Sequence, residues 1–208
     1  MMPIIVLGGG GHAKVVIEIL QFQGAEVIGY TDPQPKSMIF GIPWIGNDQM
    51  VENYSPSNVL LVNGLGSIGD NTRKREAFLF WKEKSFSFSK VIHPSAIVSP
   101  HAVLEEGVQV MAGAVIQPDT HIDCNSIINT RAVIEHDTRI GKHVHIAPGV
   151  VLSGSVTVED DAHIGTGATV IQGMTIGRNS LVGAGAVVVK HVQADTKVSG
   201  IPAREMQA

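Results

Sequence analysis

A histidine stands between two acids at Glu135-His136-Asp137, inside the stretch INTRAVIEHDTRIGKHVHIAPGV that begins at Ile128 and ends at Val150. Neutral imidazole, with a reference pKa of about 6.5, accepts a proton readily near pH 7. A carboxylate on its Nδ1 would fix the tautomer and support the imidazolium that forms, which is triad logic without a serine. His136 is therefore a candidate general base, with Glu135 and Asp137 as candidate partners, and a positioned base contributes about 10²–10⁴-fold in rate. On the residues alone an alternative stays open. The chain has nine histidines, and one beside two acids also suits a solvent-facing corner.

A second candidate site is LGGGGHAKVVIEIL, residues 7–20. Gly8, Gly9, Gly10 and Gly11 would let the backbone approach a phosphate closely, and the helix that follows would offer free N–H groups and a partial positive charge. Gly8, Gly10 and Ala13 match G-x-G-x-x-[GA], and Asp32 lies 19 residues past Ala13, where a ribose hydroxyl would be bound. The region holds one βαβ half, whereas a dinucleotide fold needs two. The loop thus fits a mononucleotide-sized ligand such as the diphosphate of a nucleotide sugar; a tight turn with no ligand is the alternative. His12 either donates to a phosphate or sugar hydroxyl or faces solvent at the helix start. Arg73, Lys74 and Arg75 read as a solvated helix face. Cys124 reads as a packed thiol, since nothing nearby lowers its pKa. Structural roles are expected for His93, His101, His121, His143, His163 and His191.

The elements that must carry these residues have two different periods. In residues 1–90, strands are expected at 4–7, 25–30 and 58–62, with a short fourth strand where Phe86 and Phe88 alternate with serines. Helices are expected at 13–23, with Ala13, Val16, Ile17 and Leu20 on one face, and at 71–81. This is a small Rossmann-like βαβ domain with a parallel sheet. From Val98 to Val188 every sixth residue is aliphatic, sixteen in succession, and the residue four further on is nearly always small. No α-helix has that period. Short strands joined by tight corners and stacked into a solenoid do. The boundary falls near 90–94, and the uninterrupted repeat predicts no long loop projecting from the column.

Composition narrows the function classes. Hydrophobic residues are 44% and charged residues 16%, which is globular rather than disordered. A net charge of −4 gives no electrostatic footprint for nucleic acid. One cysteine forms no internal disulfide and fits a reducing compartment. No apolar run approaches the ~20 residues of a membrane span, and the start MMPIIVLGGGG lacks a basic leader. The expectation is a soluble cytoplasmic protein with no nucleic-acid partner and no membrane insertion.

The hexad region resembles the left-handed parallel β-helix acyltransferases. The chain as a whole is similar to the sugar O/N-acetyltransferases of the NeuD/PglD type, which include the UDP-4-amino-sugar N-acetyltransferases of the bacillosamine pathway and sialic-acid O-acetyltransferase-like relatives. The motifs that carry the likeness are GGGGHAKVV with the later Asp32, the junction VIHPSAIV, the segment NTRAVIEHD and the ending VSGIPARE. The resemblance implies a nucleotide-sugar-binding domain over 1–90 and a left-handed parallel β-helix with a C-terminal tail over 91–208. Three hexads would make one turn, so that the repeat gives about five turns and roughly 25 Å of height at ~4.8 Å per turn. It assigns His136 as the base, Asn129 to the acceptor sugar and His145 to the acetyl-CoA thioester. His12 and Asp32 become nucleotide-sugar contacts, and the 200–203 loop with Gly200 and Pro202 lies near the CoA adenine. At least some members carry glutamate where this chain has Asp137, leaving open which acid orients His136.

With 18 residues per turn, Gly154 should lie over His136, leave room for a ligand and turn a backbone N–H toward the thioester, while His145 and His163 share a column. The implied activity is acetyl-CoA-dependent N-acetylation of the 4-amino group of a nucleotide-linked sugar, most simply UDP-linked. It would proceed by direct transfer, without a metal, in a homotrimer whose sites lie between subunits. Alternatives are O-acetylation of a sialic-acid-like sugar, a zinc hydratase of the carbonic-anhydrase type using His136, His145 and His163, and a non-catalytic nucleotide-sugar sensor.

Overall fold

The computed structural model describes residues 2–67 and 69–206; positions 1, 68, 207 and 208, which fall within the two expected domain ranges, lie outside the described residues. Contacts divide these residues into two compact units. One comprises 2–67 with 72–94; the other comprises 69–71 with 95–206.

In the first unit the strands β1 (Ile4–Leu7), β2 (Val27–Thr31) and β3 (Leu60–Asn63) form a parallel sheet in the order β2-β1-β3. All four residues of the central β1 are buried, as a strand flanked on both edges requires. Helix α1 (Gly11–Phe22) follows it and buries Ala13, Val16, Ile17, Ile19 and Leu20. Fully burying a Val, Ile or Leu side chain contributes about 1.5–3 kcal/mol, so this face fixes the helix on the sheet. Helix α2 (Thr72–Glu83) buries Lys74, Phe78 and Trp81. Lys74, only 1% exposed, corrects the expectation of a solvated basic face: its side chain lies on the same helical side as Phe78, four residues on. The expected fourth strand also fails at Phe86. Ser85 is left-handed (φ 67°), and the chain turns Phe86 edge-on against Trp81 with ring centroids 5.2 Å apart. Phe88 then makes an isolated bridge to Leu61.

The second unit is a three-sided parallel β-solenoid of two-residue strands. Residues 18 apart pair in register, as in Ile128↔Ile146, Ile134↔Leu152 and Ile140↔Val158. The first face runs from Gln109–Val110 through Ile127–Ile128, His145–Ile146, His163–Ile164 and Leu181–Val182 to Lys197–Ser199, where Arg204–Glu205 adds an antiparallel strand. The second face contains six strands, Ile97–Val98 to Val187–Val188, and the third contains five, Val103–Leu104 to Thr175–Ile176. One strand of the second face belongs to each turn, so the column has six turns, not five. The sixteen-residue hexad count leaves out the closing stretch at Lys197–Ser199, where the period is broken but the pairing continues.

The second residue of each strand points inward: Ile128, Ile134, Ile140, Ile146, Leu152 and their successors are at most 1% exposed through Val188. The small residues four further on fill the corners, with Ala132, Thr138, Val144, Val150, Val156 and Ala162 also buried. A left-handed backbone recurs every six residues from Gly107 to Gly185. Six of those fourteen corners are glycine and five are Asp or Asn, the residues that tolerate positive φ best.

Candidate active site

His136 occupies a corner between the second-face strand Val133–Ile134 and the third-face strand Arg139–Ile140. Consecutive side chains on an extended backbone point to opposite sides. Asp137 is left-handed instead (φ 61°), and this corner brings its carboxylate to its neighbour: His136 Nδ1 lies 2.7 Å from Asp137 Oδ2. An ionised carboxylate only accepts, so Nδ1 carries the hydrogen and Nε2 presents its lone pair. The hydrogen bond to Asp137 raises the His136 pKa above its ordinary value, the slight desolvation opposes it, and the charges of Asp137 and Glu135 add to the rise. Glu135 acts only as a nearby charge. The question of which acid meets the imidazole has a geometric answer in Asp137.

The imidazole lies on Gly154, one turn along. A Cβ built on Gly154 would stand 2.7 Å from His136 Cε1 and 2.8 Å from Nε2. The expected stacking is present, but the room at Gly154 is filled by the histidine ring rather than left for a ligand. The next residue ties the two turns together, as Ser155 N–H donates to His136 O at 2.9 Å.

Asn129 and His145 form a second group. Asn129 Oδ1 accepts the Thr130 N–H at 2.7 Å, which leaves its Nδ2 to donate to His145 Nε2 at 3.1 Å. That assigns the proton of a neutral His145 to Nδ1. His145 and His163 pair across adjacent strands, their ring centroids 4.9 Å apart and edge-to-face, in the single column expected. This group sits on the first face and the corner that leaves it, one full face away from His136 along the chain's winding. His143, also buried, meets Asn125 of the corner one turn before (Nδ1 to Nδ2, 2.9 Å). Burial, together with the Asp123 carboxylate, pushes the Cys124 thiol up, which keeps it protonated. Among the described residues there is no group of three or more His, Cys, Asp or Glu side chains arranged to hold a metal ion.

The 200–203 loop joins Lys197–Ser199 to Arg204–Glu205. It is docked on the last strand of the second face: Val187 N–H donates to Gly200 O at 3.1 Å and Ala203 N–H to Val187 O at 2.7 Å. Gly200 is left-handed (φ 94°), a conformation that favours glycine. Ala203 and Arg204, with Val188, His191 and Val198, line a cavity of about 260 Å³. Pro202 and the 78%-exposed Ile201 lie at the loop's tip.

In the first unit the carboxyl ends of β1 and β2 are adjacent, Leu7 pairing with Thr31. This register sets Asp32 against the glycine loop. Asp32 Oδ2 accepts the Gly9 N–H at 3.1 Å and the Lys36 ammonium at 2.7 Å, while Oδ1 accepts the Gln34 N–H. Burial pushes the Asp32 carboxyl up, but hydrogen bonds from Lys36, Gln34 and Gly9 outweigh it and hold the pKa below the usual value. Both carboxylate oxygens of Asp32, the residue expected to bind a ribose hydroxyl, are thus engaged inside the unit. Lys36 also donates to Gly9 O at 3.0 Å, adding a cation at the loop. Lys36 escapes motif reading, although its place four residues after Asp32, in TDPQPK, is the available signal.

Gly8 is left-handed (φ 92°) and packed against Leu65, whereas the space where side chains would stand at Gly10 and Gly11 is open. Helix α1 starts there with no side-chain cap on Gly10. Half-buried His12 packs against Gly66, where a Cβ would stand 3.1 Å from its own. The loop therefore opens at the crevice between β1 and β3, the point where strand order switches direction and where open α/β sheets bind ligands.

Residues 3–78 match the PglD N-terminal domain family, residues 119–154 the bacterial transferase hexapeptide family and residues 155–190 the hexapeptide repeat of succinyl-transferase. The chain is 38% identical to a perosamine N-acetyltransferase from Caulobacter crescentus solved with CoA and GDP-perosamine. That alignment covers 99% of this chain and 97% of that one, with a TM-score of 0.91. The acetyltransferase domain of PglB from Neisseria gonorrhoeae FA1090 is 34% identical over 99% of this chain and all of that one, with a TM-score of 0.93. The UDP-N-acetylbacillosamine N-acetyltransferase of Bacillus subtilis (strain 168) is 38% identical over 114 residues, 54% of this chain; the match spans about half (52%) of that protein.

Column and glycine-loop unit together define the class, a left-handed β-helix acyltransferase carrying a small α/β domain. Within that class the chain belongs to the sugar acetyltransferases of the NeuD/PglD type.

Proposed function

We propose that the chain transfers an acetyl group from acetyl-CoA to the 4-amino group of a nucleotide-linked, most simply UDP-linked, amino-deoxy sugar. The observation that carries this function is the His136–Asp137 pair seated on Gly154, in a chain that aligns along nearly its whole length with a nucleotide-sugar N-acetyltransferase. The acceptor amine attacks the thioester carbonyl and forms the C–N bond. His136 Nε2 takes the proton the amine loses, with Asp137 holding the resulting imidazolium. The tetrahedral intermediate then expels the CoA sulfur as the C–S bond breaks, and the imidazolium returns its proton to the thiolate. The oxyanion needs a fixed donor, for which the Gly154 N–H or a near neighbour is the candidate. No metal has a step in this route.

The acceptor's diphosphate rests on the Gly8–Gly11 loop, where the Lys36 ammonium and the start of α1 supply positive charge. His12 reaches the acceptor from the same loop. Asn129 and His145 lie toward acceptor sugar and thioester, and the loop holding Gly200 and Pro202 toward the CoA adenine. One face separates His136 from Asn129 and His145, so a site using all three is built between two columns.

The outward residues of the second face supply the contact. Ile97, Val115, Val133 and Val151 form an apolar ladder, with Ile97 68% and Val151 37% exposed; Thr169 separates it from Val187, and a homotrimer would cover the ladder. Val151→Glu should then give a folded monomer by light scattering, with at least tenfold less activity; a fully active monomer would reject the shared site. The proposed setting is the cytoplasm, with which the lone thiol is consistent. Among the described residues no helix is long and apolar enough to cross a membrane.

The direct test follows free thiol release from acetyl-CoA with UDP- and GDP-linked 4-amino sugars and with sialic acid as acceptors. Turnover with the amino sugars is expected. Turnover with sialic acid alone would reassign the enzyme to O-acetylation, and binding without turnover would make it a sensor.

A further inference from the structure

We propose that Thr138, buried in the corner that carries His136, is a positioning residue for acetyl transfer: its hydroxyl holds the Ser153–Gly154 peptide so that the Gly154 N–H is presented to the developing oxyanion. The inference rests on the acetyl-transfer route proposed above, where that N–H is the candidate donor, and adds the residue that fixes it. Thr138 Oγ1 donates to Ser153 O at 3.5 Å. The bond is long, but it is the hydroxyl's single partner among the described residues, and Thr138 is 0% exposed. Burying a hydroxyl without an acceptor is costly, so this bond is the one Thr138 keeps.

The Ser153–Gly154 peptide lacks the tethers that hold its counterparts. In other corners the equivalent carbonyl is closed by the N–H three residues on, as Asn129 O is by Ala132 at 3.0 Å and Gly165 O by Ala168 at 3.1 Å. Among the described residues no backbone N–H reaches Ser153 O, which leaves the Thr138 hydroxyl as its tether. The equivalent N–H is also accounted for elsewhere. Pro118 and Pro148 have none, Lys142 gives its N–H to Asp160 Oδ1 at 2.7 Å, and Arg178 gives its N–H to Glu159 Oε2 at 2.8 Å. Among the described residues nothing accepts the Gly154 N–H, although Gly154 is buried beneath the His136 ring. Buried N–H groups are rarely orphaned, and an orphan beside the proposed base suits an oxyanion.

A trans peptide sets its C=O and N–H on opposite sides of the C–N bond. Thr138 draws Ser153 O toward the packed corner and so turns the Gly154 N–H away from it. Glycine is the residue least able to resist rotation of the adjoining peptide. Without the hydroxyl the plane is free to swing and the donor loses its aim. The same place one turn earlier holds Thr120, also buried, whose hydroxyl donates to Glu135 O at 3.4 Å and tethers the Glu135–His136 peptide in the same way. Ala102, Val156 and Met174 take this place on other turns. The two hydroxyls of the column therefore serve the peptides that carry His136 and Gly154.

The experiment compares Thr138→Val, Thr138→Ser and Ser180→Ala with the wild-type chain in steady-state kinetics and thermal melts. Valine fits the site, since Val156 is fully buried at the same place one turn on. Thr138→Val should lower kcat by about threefold to tenfold, the range one ordinary hydrogen bond supports, with KM for both substrates and Tm little changed. The acid limb of its pH profile should stay put, because the His136–Asp137 pair is untouched. Thr138→Ser keeps the hydroxyl and should return most of the rate. Ser180→Ala removes another buried hydroxyl, which bonds Gly177 O at 2.6 Å, and should leave kcat unchanged. With carbonyl-labelled [1-¹³C]acetyl-CoA bound, the thioester carbonyl stretch should lie lower in wild type and Thr138→Ser than in Thr138→Val. Wild-type kcat or an unshifted stretch in Thr138→Val would overturn the positioning role and leave acetyl transfer intact. Equal losses in Thr138→Val and Ser180→Ala would assign the effect to general loosening of the column and overturn it too. A wild-type chain that turns over no acceptor would sink the route and this role together.

Discussion

His136→Ala should lower kcat by about 10²–10⁴-fold, with KM for both substrates within a few-fold of wild type. The imidazole is exposed at its corner, so its removal leaves no buried polar group unpaired and the fold intact. The pH profile separates the roles of the two acids. The free base is the neutral imidazole, so activity falls as pH drops through the His136 pKa. That pKa is raised, mainly by the Asp137 hydrogen bond, and the acid limb of kcat/KM should lie above the ordinary histidine value of 6.5. Asp137→Asn removes the charge but suits the left-handed corner, since Asn125 and Asn179 already occupy equivalent corners. It should move the acid limb to lower pH and reduce kcat. Glu135→Gln, which removes only a more distant charge, should shift the limb less. A limb that does not move in Asp137→Asn would exclude the pair as the catalytic unit.

Gly154→Ala should reduce kcat by about 10²-fold or more while leaving thermal stability nearly unchanged. The new methyl would fall 2.8 Å from His136 Nε2, closer than real Cβ contacts come, and the flexible end of the histidine is what yields. Gly154 is not among the positive-φ residues, so alanine meets no backbone strain. A misplacement of about 1 Å at a reacting group costs on the order of 10²-fold. Kinetics beside a thermal melt make the check: wild-type kcat in Gly154→Ala would show that the ring position is irrelevant to turnover, whereas a large fall in Tm would assign Gly154 to folding.

The solenoid was legible because its rule repeats: a period of six, sampled sixteen times, leaves no competing element. The stacking of Gly154 on His136 and of His145 on His163 followed from pairing at 18, once three hexads per turn were taken from the family. Within the corner, the sequence showed two acids beside one histidine and could not choose between them. The left-handed series through Asp119, Asn125 and Asp137 makes the choice, because it turns Asp137 back onto its neighbour. The first unit was less legible where single residues decide. Ser85 adopts positive φ and diverts Phe86 from a strand. Lys74 takes a buried helical position that charge alone would place in solvent. Lys36 reaches Asp32 and Gly9 from a proline-flanked loop whose path no periodicity describes.

The column also behaves as a ruler. Each outward position is reproduced one strand spacing higher, about 4.8 Å, and only there. Losing one residue between 155 and 163 would swing Ile164, Val170, Ile176 and the inward residues after them from interior to surface, whereas losing 18 would restore every neighbour. The interval between the His136 corner and the closing hairpin at 197–205 therefore changes only in whole rungs.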